Sequence, residues 1–292
     1  MTLFISVISH DHDHIIEQLE TLARLVTYPQ IKVIFRDNVK SQELQTYCES
    51  IGIQYHSNDK PLGFAANNNL NFLLALAMGL SGEDYFLLLN PDVEISDLAI
   101  KHLLSTLAQS NLPMMAPNLF LDRSFRLADD NLRRFPTFGT FLKNYLLRSR
   151  SSVIDRTLPT DGETFWASGA FLVVKAHVYQ HLNGLDERYF MYCEDIDFCF
   201  RALQEGIKVS YLPDIIAIHY RRCASRRFGS RLFFHHVKST ITYELTRRNW
   251  LRSWHRKSNL ITVSAIPMTS SKGAELDSAN LVAEASIVDK QS

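Results

Sequence analysis

The tripeptide Asn90-Pro91-Asp92 places a carboxylate directly after the apolar run 86–89 (FLLL). A carboxylate that follows a buried strand can bind a divalent cation, and Mg²⁺ needs only one or two carboxylates when substrate phosphates supply further ligands. An Asx-Pro-Asp sequence is equally typical of a tight turn. The tripeptide alone therefore leaves a metal site and a turn open.

Glu194 and Asp195, with Asp197 close by, form the densest acidic group within an apolar and aromatic stretch. Carboxylates in apolar surroundings have raised pKa values and can act as general bases near neutral pH. The alternative is the solvated start of a helix over 196–205, where acidic side chains interact favourably with the helix dipole. Asp197 precedes Arg201 by four residues, a spacing that predicts a structural ion pair.

Histidines occur at two places that could suit a metal ion. His219 ends the apolar run 215–219, and imidazole is a frequent metal ligand, although a single histidine at a strand end is more often structural. His10, His12 and His14 alternate with acidic residues, a pattern that indicates a mobile loop and the start of a helix rather than a metal cluster.

Cysteine usage and hydropathy indicate a cytosolic protein. The four cysteines form no CxxC pair and show no zinc-type spacing, so free thiols in a reducing compartment are the simplest interpretation. The N-terminus lacks the basic and apolar regions of a signal peptide. No apolar stretch approaches the ~18 residues of a membrane span, so any membrane association is expected to be peripheral.

The elements that must position these side chains alternate along the first 110 residues. Strands are predicted at 3–9, 31–35, 53–56 and 84–89, and helices at 15–26, 41–51, 65–79 and 96–109. This alternation predicts βαβ units and a parallel sheet covered on both faces, with a ligand outside the carboxyl ends of the strands. Ser9, Asp37-Asn38 and Asp92 follow three of these strands, which favours a nucleotide-like ligand.

The second half of the chain has a less regular pattern. Residues 113–136 are turn-rich, and a strand-like run at 164–174 is interrupted by Ser168-Gly169. Further candidates are short strands at 209–212 and 215–219 and an aromatic, basic helix from about 229 to 256. The final segment, 258–292, has few aromatic residues and is expected to be disordered or weakly helical.

The balance of 31 basic and 31 acidic residues conceals an uneven distribution of charge. Residues 221–257 contain eleven Lys and Arg but a single acid, a net charge of +10, whereas 1–220 and 258–292 carry −8 and −2. Such asymmetry predicts an anionic partner for the basic segment, and a solvated helix face is the alternative. Nucleic acid is disfavoured because no RNA-binding motif accompanies the charge.

Taken together, the motifs resemble those of family 2 glycosyltransferases with the GT-A fold, and within them bacterial rhamnosyltransferases of surface-polysaccharide (O-antigen type) assembly. The resemblance covers about residues 3–220. The matching segments, in family order, are VIS (7–9), RDN (36–38), GFAANNN (63–69), LLLNPD (87–92), WASGAF (166–171), FMYCEDIDFCFR (190–201) and AIHY (217–220).

The resemblance implies an α/β architecture with a Rossmann-like, mostly parallel central sheet flanked by helices, extended by a basic C-terminal helical segment. It implies a catalytic domain over 1–220, divided into a nucleotide-sugar half (1–112) and an acceptor half (113–220). Residues 221–257 would then form a membrane-associating segment, followed by the tail 258–292.

The resemblance also implies roles for individual residues. Asp195 would be the general base, with Glu194 beside it, and Asp92 and His219 would bind a divalent cation, Mg²⁺ or Mn²⁺. Asn90 replaces the first acid of the family's DxD motif. The nucleotide-sugar contacts would be Ser9, Asp37, Asn38, Gly63, Asn67 and Asn90, and the acceptor and sugar contacts would be Trp166, Ser168 and Gly169.

The implied reaction is the inverting transfer of L-rhamnose from dTDP-L-rhamnose to a hydroxyl of a lipid-linked saccharide. Because such acceptors lie at the inner membrane, the basic segment 221–257 is expected to hold the protein on its anionic cytoplasmic face. Two alternatives remain at this stage: another donor, such as a galactofuranosyl or fucosyl nucleotide, and a carbohydrate- or lipid-binding protein without turnover.

Overall fold

The computed structural model describes residues 1–137, 139–140, 151–156, 162–221, 231–248, 258 and 260. Ten strands within them form an eight-stranded sheet and a two-stranded ribbon. The strands are β1 (Leu3–Ser9), β2 (Ile31–Asp37), β3 (Tyr55–Ser57), β4 (Tyr85–Leu89), β5 (Val93–Ile95), β6 (Met114–Phe120), β7 (Leu132–Arg133), β8 (Trp166–Ala167), β9 (Phe171–Lys175) and β10 (Val209–His219).

Helices of five to seventeen residues connect the strands or follow them in this part of the chain. They are α1 (Asp13–Leu19), α2 (Thr21–Leu25), α3 (Gln42–Ser50), α4 (Phe64–Ala77), α5 (Asp97–Gln109), α6 (Ala176–His181), α7 (Glu194–Gln204) and α8 (Arg231–Arg247). None of these described helices combines the length and hydrophobicity needed to cross a lipid bilayer.

The large sheet has the order β3-β2-β1-β4-β9-β6-β10-β5. Its first four strands are parallel, as are β6 and β10, whereas β9 is antiparallel to both of its neighbours and β5 is antiparallel to β10. The predicted α/β class is therefore confirmed, with a mixed sheet in which parallel pairs outnumber antiparallel pairs. Strands from both expected halves of the catalytic domain contribute to this one sheet.

Alternation of side chains along β1 divides the core into two layers. Leu3, Ile5 and Val7 pack in a cluster with α1, α2, α3 and α5, whereas Phe4 lies in a second cluster with α4, α6 and α7. Because β1 is apolar on both faces, it must be covered on both faces. Each fully buried side chain of this size contributes roughly 1.5–3 kcal/mol, so the paired layers stabilise the sheet that positions the site.

Several elements differ from the sequence prediction. The helix predicted at 15–26 is broken at Glu20, which adopts a left-handed φ of 52°. Residues 114–120, predicted to be irregular, form β6, and the two strands predicted at 209–212 and 215–219 form one strand, β10. Leu212 pairs with Pro117 in β6, and the register shifts immediately afterwards. This irregularity accommodates a proline in an interior strand, where it cannot donate a ladder hydrogen bond.

The C-terminal basic segment is described only in part. Arg221 and α8 lie within the predicted segment 221–257, whereas 222–230 and 249–257 lie outside the described residues. Of the tail predicted to be disordered or weakly helical, Ser258 and Leu260 are described, and both are buried. The other residues of the tail lie outside the described part of the chain.

Candidate active site

Asp37 shapes the loop that follows β2. Its carboxylate accepts hydrogen bonds from Val39 N–H at 3.0 Å, from Ser41 N–H at 2.7 Å and from the Tyr55 hydroxyl at 2.8 Å. Burial and the bond to this carboxylate raise the pKa of Tyr55 above its usual value. Ser9 lies beside Asp37 in the sheet register and is buried, and its hydroxyl has no hydrogen-bond partner within the described residues.

Asn38 and Asn67 hold the loop that leads into α4. The side chain of Asn38 both accepts from Leu62 N–H at 3.1 Å and donates to Leu62 O at 3.0 Å. Asn67 donates to the carbonyl oxygens of Leu62 and Gly63, at 3.1 and 3.0 Å. The predicted nucleotide-sugar residues of 37–38 and 63–67 are therefore brought together by one hydrogen-bond network.

Three members of this network, Arg36, Asn58 and Asn71, were not predicted from the sequence. Arg36 is buried and donates to Asn58 Oδ1 at 3.0 Å and to Asn71 Oδ1 at 2.9 Å. Asn58 in turn donates to Asn38 Oδ1 at 2.6 Å and to Asn67 Oδ1 at 2.7 Å. The signal in the sequence is the group of asparagines in α4, which would be unusual in an apolar helix unless their amides had buried partners.

Gly63 lies against the backbone of Phe190. Phe64 N–H donates to Phe190 O at 2.9 Å, and a Cβ atom added at position 63 would lie 2.6 Å from the same oxygen. Only glycine allows this approach of two main chains. The contact connects the loop at the start of α4 to the segment that precedes α7.

Asp92, His219 and Asp129 form a buried row at the carboxyl end of the sheet. His219 Nε2 lies 3.4 Å from Asp92 Oδ1 and 3.4 Å from Asn90 Nδ2, and its Nδ1 lies 2.6 Å from Asp129 Oδ2. Arg221 forms an ion pair with the other oxygen of Asp129. Asp129 was not predicted from the sequence, because no local motif marks it.

Electrostatics within this row favour a positive charge at its centre. Burial lowers the pKa of His219, but hydrogen bonds and charges from Asp129 and Asp92 outweigh it and raise the pKa to about 9. Burial opposes ionisation of Asp92, and the contacts with His219, together with the charge of His12, outweigh it and lower the pKa of Asp92. Without a bound cation, His219 therefore favours its protonated form at neutral pH.

The same side chains also suit a divalent cation. Within the described residues no group of three or more His, Cys, Asp or Glu could hold a metal by itself. A deprotonated His219, held at Nδ1 by Asp129, would turn Nε2 toward the Asp92 carboxylate, an arrangement typical of metal-binding histidines. Two protein ligands are enough for a cation that also binds a diphosphate, so the residues fit such an ion.

Asp195 and Glu194 form the first turn of α7. Asp195 Oδ2 accepts from Gly169 N–H at 3.1 Å and Oδ1 accepts from Ile196 N–H at 2.8 Å. Burial raises the pKa of Asp195 despite these hydrogen bonds. Burial and the neighbouring charge of Asp195 raise the pKa of Glu194 well above its usual value, and Glu194 Oε2 has no partner within the described residues.

A short turn separates Asp195 from the Asp92 side of the site. Asn90 N–H donates to Ala170 O at 2.9 Å, and the preceding residue, Gly169, binds Asp195. The Ser168 hydroxyl accepts from Ala170 N–H at 3.2 Å. Trp166 is farther along β8 and donates from Nε1 to Arg134 O at 3.2 Å. Of the predicted acceptor residues, Ser168 and Gly169 thus lie in the connection between the two acidic groups, and Trp166 precedes it.

Two remaining sequence predictions concern residues near the site. The ion pair between Asp197 and Arg201 is confirmed: both side chains are buried, and Arg201 Nε lies 2.7 Å from Asp197 Oδ2. The Arg201 guanidinium also donates to Gly184 O at 2.8 Å, so the pair holds the chain between α6 and α7. At the N-terminus α1 begins at Asp13, as expected for a loop followed by a helix.

Comparisons with known proteins identify relatives of the chain and structures with a similar fold. No protein-family model matches the chain. The chain is 31% identical over 250 residues to the rhamnosyltransferase WbbL of Escherichia coli strain K12, and the alignment covers 84% of this chain and 94% of that protein. It is 32% identical over 121 residues to an N-acetylglucosaminyl-diphospho-decaprenol L-rhamnosyltransferase of Mycobacterium tuberculosis strain H37Rv, covering 40% and 39% of the two chains.

A solved structure with a similar fold is the mannosyltransferase PcManGT from Pyrobaculum calidifontis in complex with GDP-Man and Mn²⁺. The TM-score is 0.51 at 11% identity, with 98% of this chain and 79% of that chain covered, which supports the GT-A fold. The match to the Escherichia coli protein, at 31% identity over 84% of this chain, places the two proteins in the same family. The chain belongs to family 2 of the glycosyltransferases and is a rhamnosyltransferase of polysaccharide biosynthesis.

Proposed function

We propose that the chain transfers L-rhamnose from dTDP-L-rhamnose, with inversion, to a hydroxyl of a lipid-linked saccharide. The observation that carries the proposal is a carboxylate with a raised pKa, Asp195, separated by the turn 168–170 from Asn90 and Asp92. The mycobacterial relative is named for L-rhamnose transfer to a diphospho-decaprenol acceptor, which supports a lipid-linked acceptor here.

In the proposed mechanism Asp195 accepts a proton from the acceptor hydroxyl as that oxygen attacks the anomeric carbon of rhamnose. The new glycosidic bond forms while the bond from the anomeric carbon to the diphosphate breaks, and the nucleoside diphosphate leaves with the bonding electrons. The hydrogen bonds from Gly169 and Ile196 fix the direction of the carboxylate. Because the acceptor oxygen attacks the face opposite the leaving diphosphate in a single displacement, the anomeric configuration is inverted.

Asp92 and His219 would hold a divalent cation, Mg²⁺ or Mn²⁺, with Asp129 orienting the imidazole. When bound, the cation would neutralise the negative charge that develops on the leaving diphosphate. Asn90 replaces an acid of the family motif, and its amide lies 3.4 Å from His219 Nε2. The side chain therefore contributes a dipole at this place instead of a second negative charge.

The donor would lie at the carboxyl ends of β1, β2 and β4. Ser9 provides a buried hydroxyl without a partner in the described residues, and Asp37 retains free lone-pair capacity after its three protein hydrogen bonds. Asn38, Gly63 and Asn67 would form the wall that faces the nucleotide. Trp166, Ser168 and Gly169 would contact the rhamnosyl group and the acceptor.

Peripheral contact with the anionic cytoplasmic face of the inner membrane is a further part of the proposal. Phe234, Val237 and Ile241 are 63%, 38% and 48% exposed, and their spacing places them on one side of α8, beside the exposed Lys238. A helix with apolar and basic residues on its outer side suits an interfacial position. Each basic residue near such a surface contributes about 1 kcal/mol, and 221–257 carries eleven.

The donor and acceptor are tested by incubating the protein with Mg²⁺, a panel of nucleotide sugars and membranes that carry lipid-linked saccharide. We expect transfer from dTDP-L-rhamnose and a product whose anomeric configuration is opposite to that of the donor. Efficient transfer from a galactofuranosyl or fucosyl nucleotide, with none from dTDP-L-rhamnose, would overturn the donor assignment. A product that retains the donor configuration would overturn the single-displacement mechanism.

A further inference from the structure

The segment 189–193, which we name the pre-helix loop, carries an unusual backbone directly before the two acidic residues of α7. Tyr192 and Cys193 have φ values of 71° and 69°, a left-handed conformation that residues with a side chain rarely adopt twice in succession. Cys193 is the N-cap of α7 and forms no side-chain capping bond. The conformation is therefore imposed by neighbouring elements, since it is not favoured locally.

Helix α8 contacts three consecutive residues of the pre-helix loop. The Ser239 hydroxyl donates to Met191 O at 2.9 Å. The ring of His235 stacks on Phe190 at a centroid distance of 4.6 Å and an angle of 22°. The ring of His236 lies edge-on to that of Tyr192 at 5.1 Å. These contacts hold the loop from the side of α8.

Tyr243 completes the inner face of α8. It is fully buried and packs in a small cluster with Tyr189, Cys193 and Ile196, which joins α8, the pre-helix loop and the first turn of α7. Tyr243 follows Ser239 by four residues, so the two side chains lie on the same side of the helix. The apolar residues at 234, 237 and 241 lie on the other side.

The opposite side of the loop is fixed without α8. Phe64 N–H donates to Phe190 O, which connects the loop to Gly63 and the predicted donor wall. The pre-helix loop thus has two supports: α8 contacts its side chains and Met191 O, and the start of α4 binds the Phe190 carbonyl.

We propose that α8 is a positioning element for the catalytic base, and this inference rests on the proposed role of Asp195. Ser239 and His235 hold the pre-helix loop in the conformation that directs the first turn of α7 toward Gly169. They act through the loop and do not contact substrate. Loss of these contacts displaces the base, which slows the transfer step far more than it weakens donor binding, because a shift of about 1 Å can cost ~100-fold in rate.

The test compares His235→Ala/Ser239→Ala with the wild-type full-length chain. We expect kcat for rhamnose transfer to fall about 100-fold, and about 10-fold in Ser239→Ala alone, while the Kd for dTDP changes less than threefold. Ser105→Ala replaces an exposed serine of α5 and serves as the matched control, with wild-type kcat expected. Circular dichroism verifies that each variant folds. If the double variant does not fold, the kcat of Ser239→Ala alone tests the positioning role.

Two results would overturn the positioning role: a kcat in Ser239→Ala equal to that of Ser105→Ala, or equal losses of kcat and of dTDP affinity. Asp195→Asn is measured in parallel. If Asp195→Asn retains wild-type transfer, the assignment of the base fails and this inference fails with it. If Asp195→Asn is inactive while Ser239→Ala is fully active, only the role of α8 is wrong.

Discussion

Asp129 orients the His219 ring so that Nε2 faces Asp92. Its carboxylate lies 2.6 Å from Nδ1 and is itself paired with Arg221, so the imidazole is held from the side opposite to the proposed cation position. A partner of this kind fixes the tautomer and orientation of a ligating histidine. Asp129 is therefore expected to control metal affinity without contacting the metal.

Replacing this carboxylate provides a direct test. We expect Asp129→Ala to weaken Mn²⁺ binding in the presence of dTDP by about 10- to 100-fold, because the imidazole loses the acceptor that holds Nδ1. Titration calorimetry or Mn²⁺ electron paramagnetic resonance measures the affinity. Asp130→Ala, which removes the adjacent carboxylate, is the matched control and should bind within about twofold of wild type. Equal Mn²⁺ affinity in the two variants would contradict the role of Asp129.

A functional residue can be predicted from the sequence when a local motif surrounds it. Asp92 follows a strand, Asp195 lies at the start of a helix, and His219 ends a strand. The neighbouring residues indicate each of these positions. Asp129 and Asn58 have no such motif. Asp129 meets His219 across 90 positions of sequence, and only the pairing of β10 with β6 brings the two segments together.

The start of α4 and the pre-helix loop meet through main-chain atoms, which makes glycine necessary at position 63. We expect Gly63→Ala to lower the free energy of unfolding by about 1–3 kcal/mol, because the added methyl group would lie 2.6 Å from Phe190 O. Urea denaturation measures this change, and titration with dTDP should show weaker binding because the donor wall is displaced.

Gly82→Ala is the matched control, since the nearest atom to its added methyl group is His177 Cβ at 3.4 Å. A Gly63→Ala variant as stable as Gly82→Ala, with wild-type dTDP affinity, would show that the contact with Phe190 does not constrain the site.

Element prediction succeeded where hydrophobic pattern and turn chemistry agree and failed where they conflict. Strand β1 and helices α4 and α5 are apolar with clear ends, and their predicted bounds agree with the structure within two residues. Strand β6 contains Pro117-Asn118, a pair typical of turns, and its strand conformation depends on β9 and β10 on either side. The interruption at 168–169 was predicted because Ser-Gly follows an apolar run.

Within the whole molecule, α8 has one face packed on the pre-helix loop and one exposed face. The inner face packs on the pre-helix loop, so removal of 221–292 would take away Tyr243 and expose its partners Tyr189 and Cys193. A truncation of this kind would confuse loss of membrane contact with loss of fold. Substitutions on the outer face separate the two effects.

We expect Phe234→Glu/Ile241→Glu to reduce sedimentation with anionic phospholipid vesicles at least tenfold, because two acidic residues replace apolar contacts and oppose the surface potential. Comparing sedimentation with anionic vesicles and with neutral phosphatidylcholine vesicles measures the electrostatic contribution to membrane binding. Leu98→Glu, at a residue of α5 that is 79% exposed, is the matched control and should bind as wild type does. The outer face of α8 is excluded as the membrane contact if the double variant sediments as Leu98→Glu does.

The net charge of zero is consistent with a division of roles across the chain. The acidic excess of 1–220 includes the carboxylates proposed for metal binding and base catalysis, and the basic excess of 221–257 is proposed to face anionic lipid. The described part of this basic segment also packs on the pre-helix loop. Membrane contact and catalysis would therefore share one helix.

Asp195→Asn tests the central claim most directly. The substitution keeps the size of the side chain, and its single amide oxygen can accept from either Gly169 or Ile196. The amide cannot take the proton of the acceptor hydroxyl. We predict that kcat for transfer from dTDP-L-rhamnose falls at least ~1,000-fold, within the range attributed to a general base, while the Kd for dTDP stays within threefold of wild type. Transfer at a rate close to that of wild type would contradict Asp195 as the base.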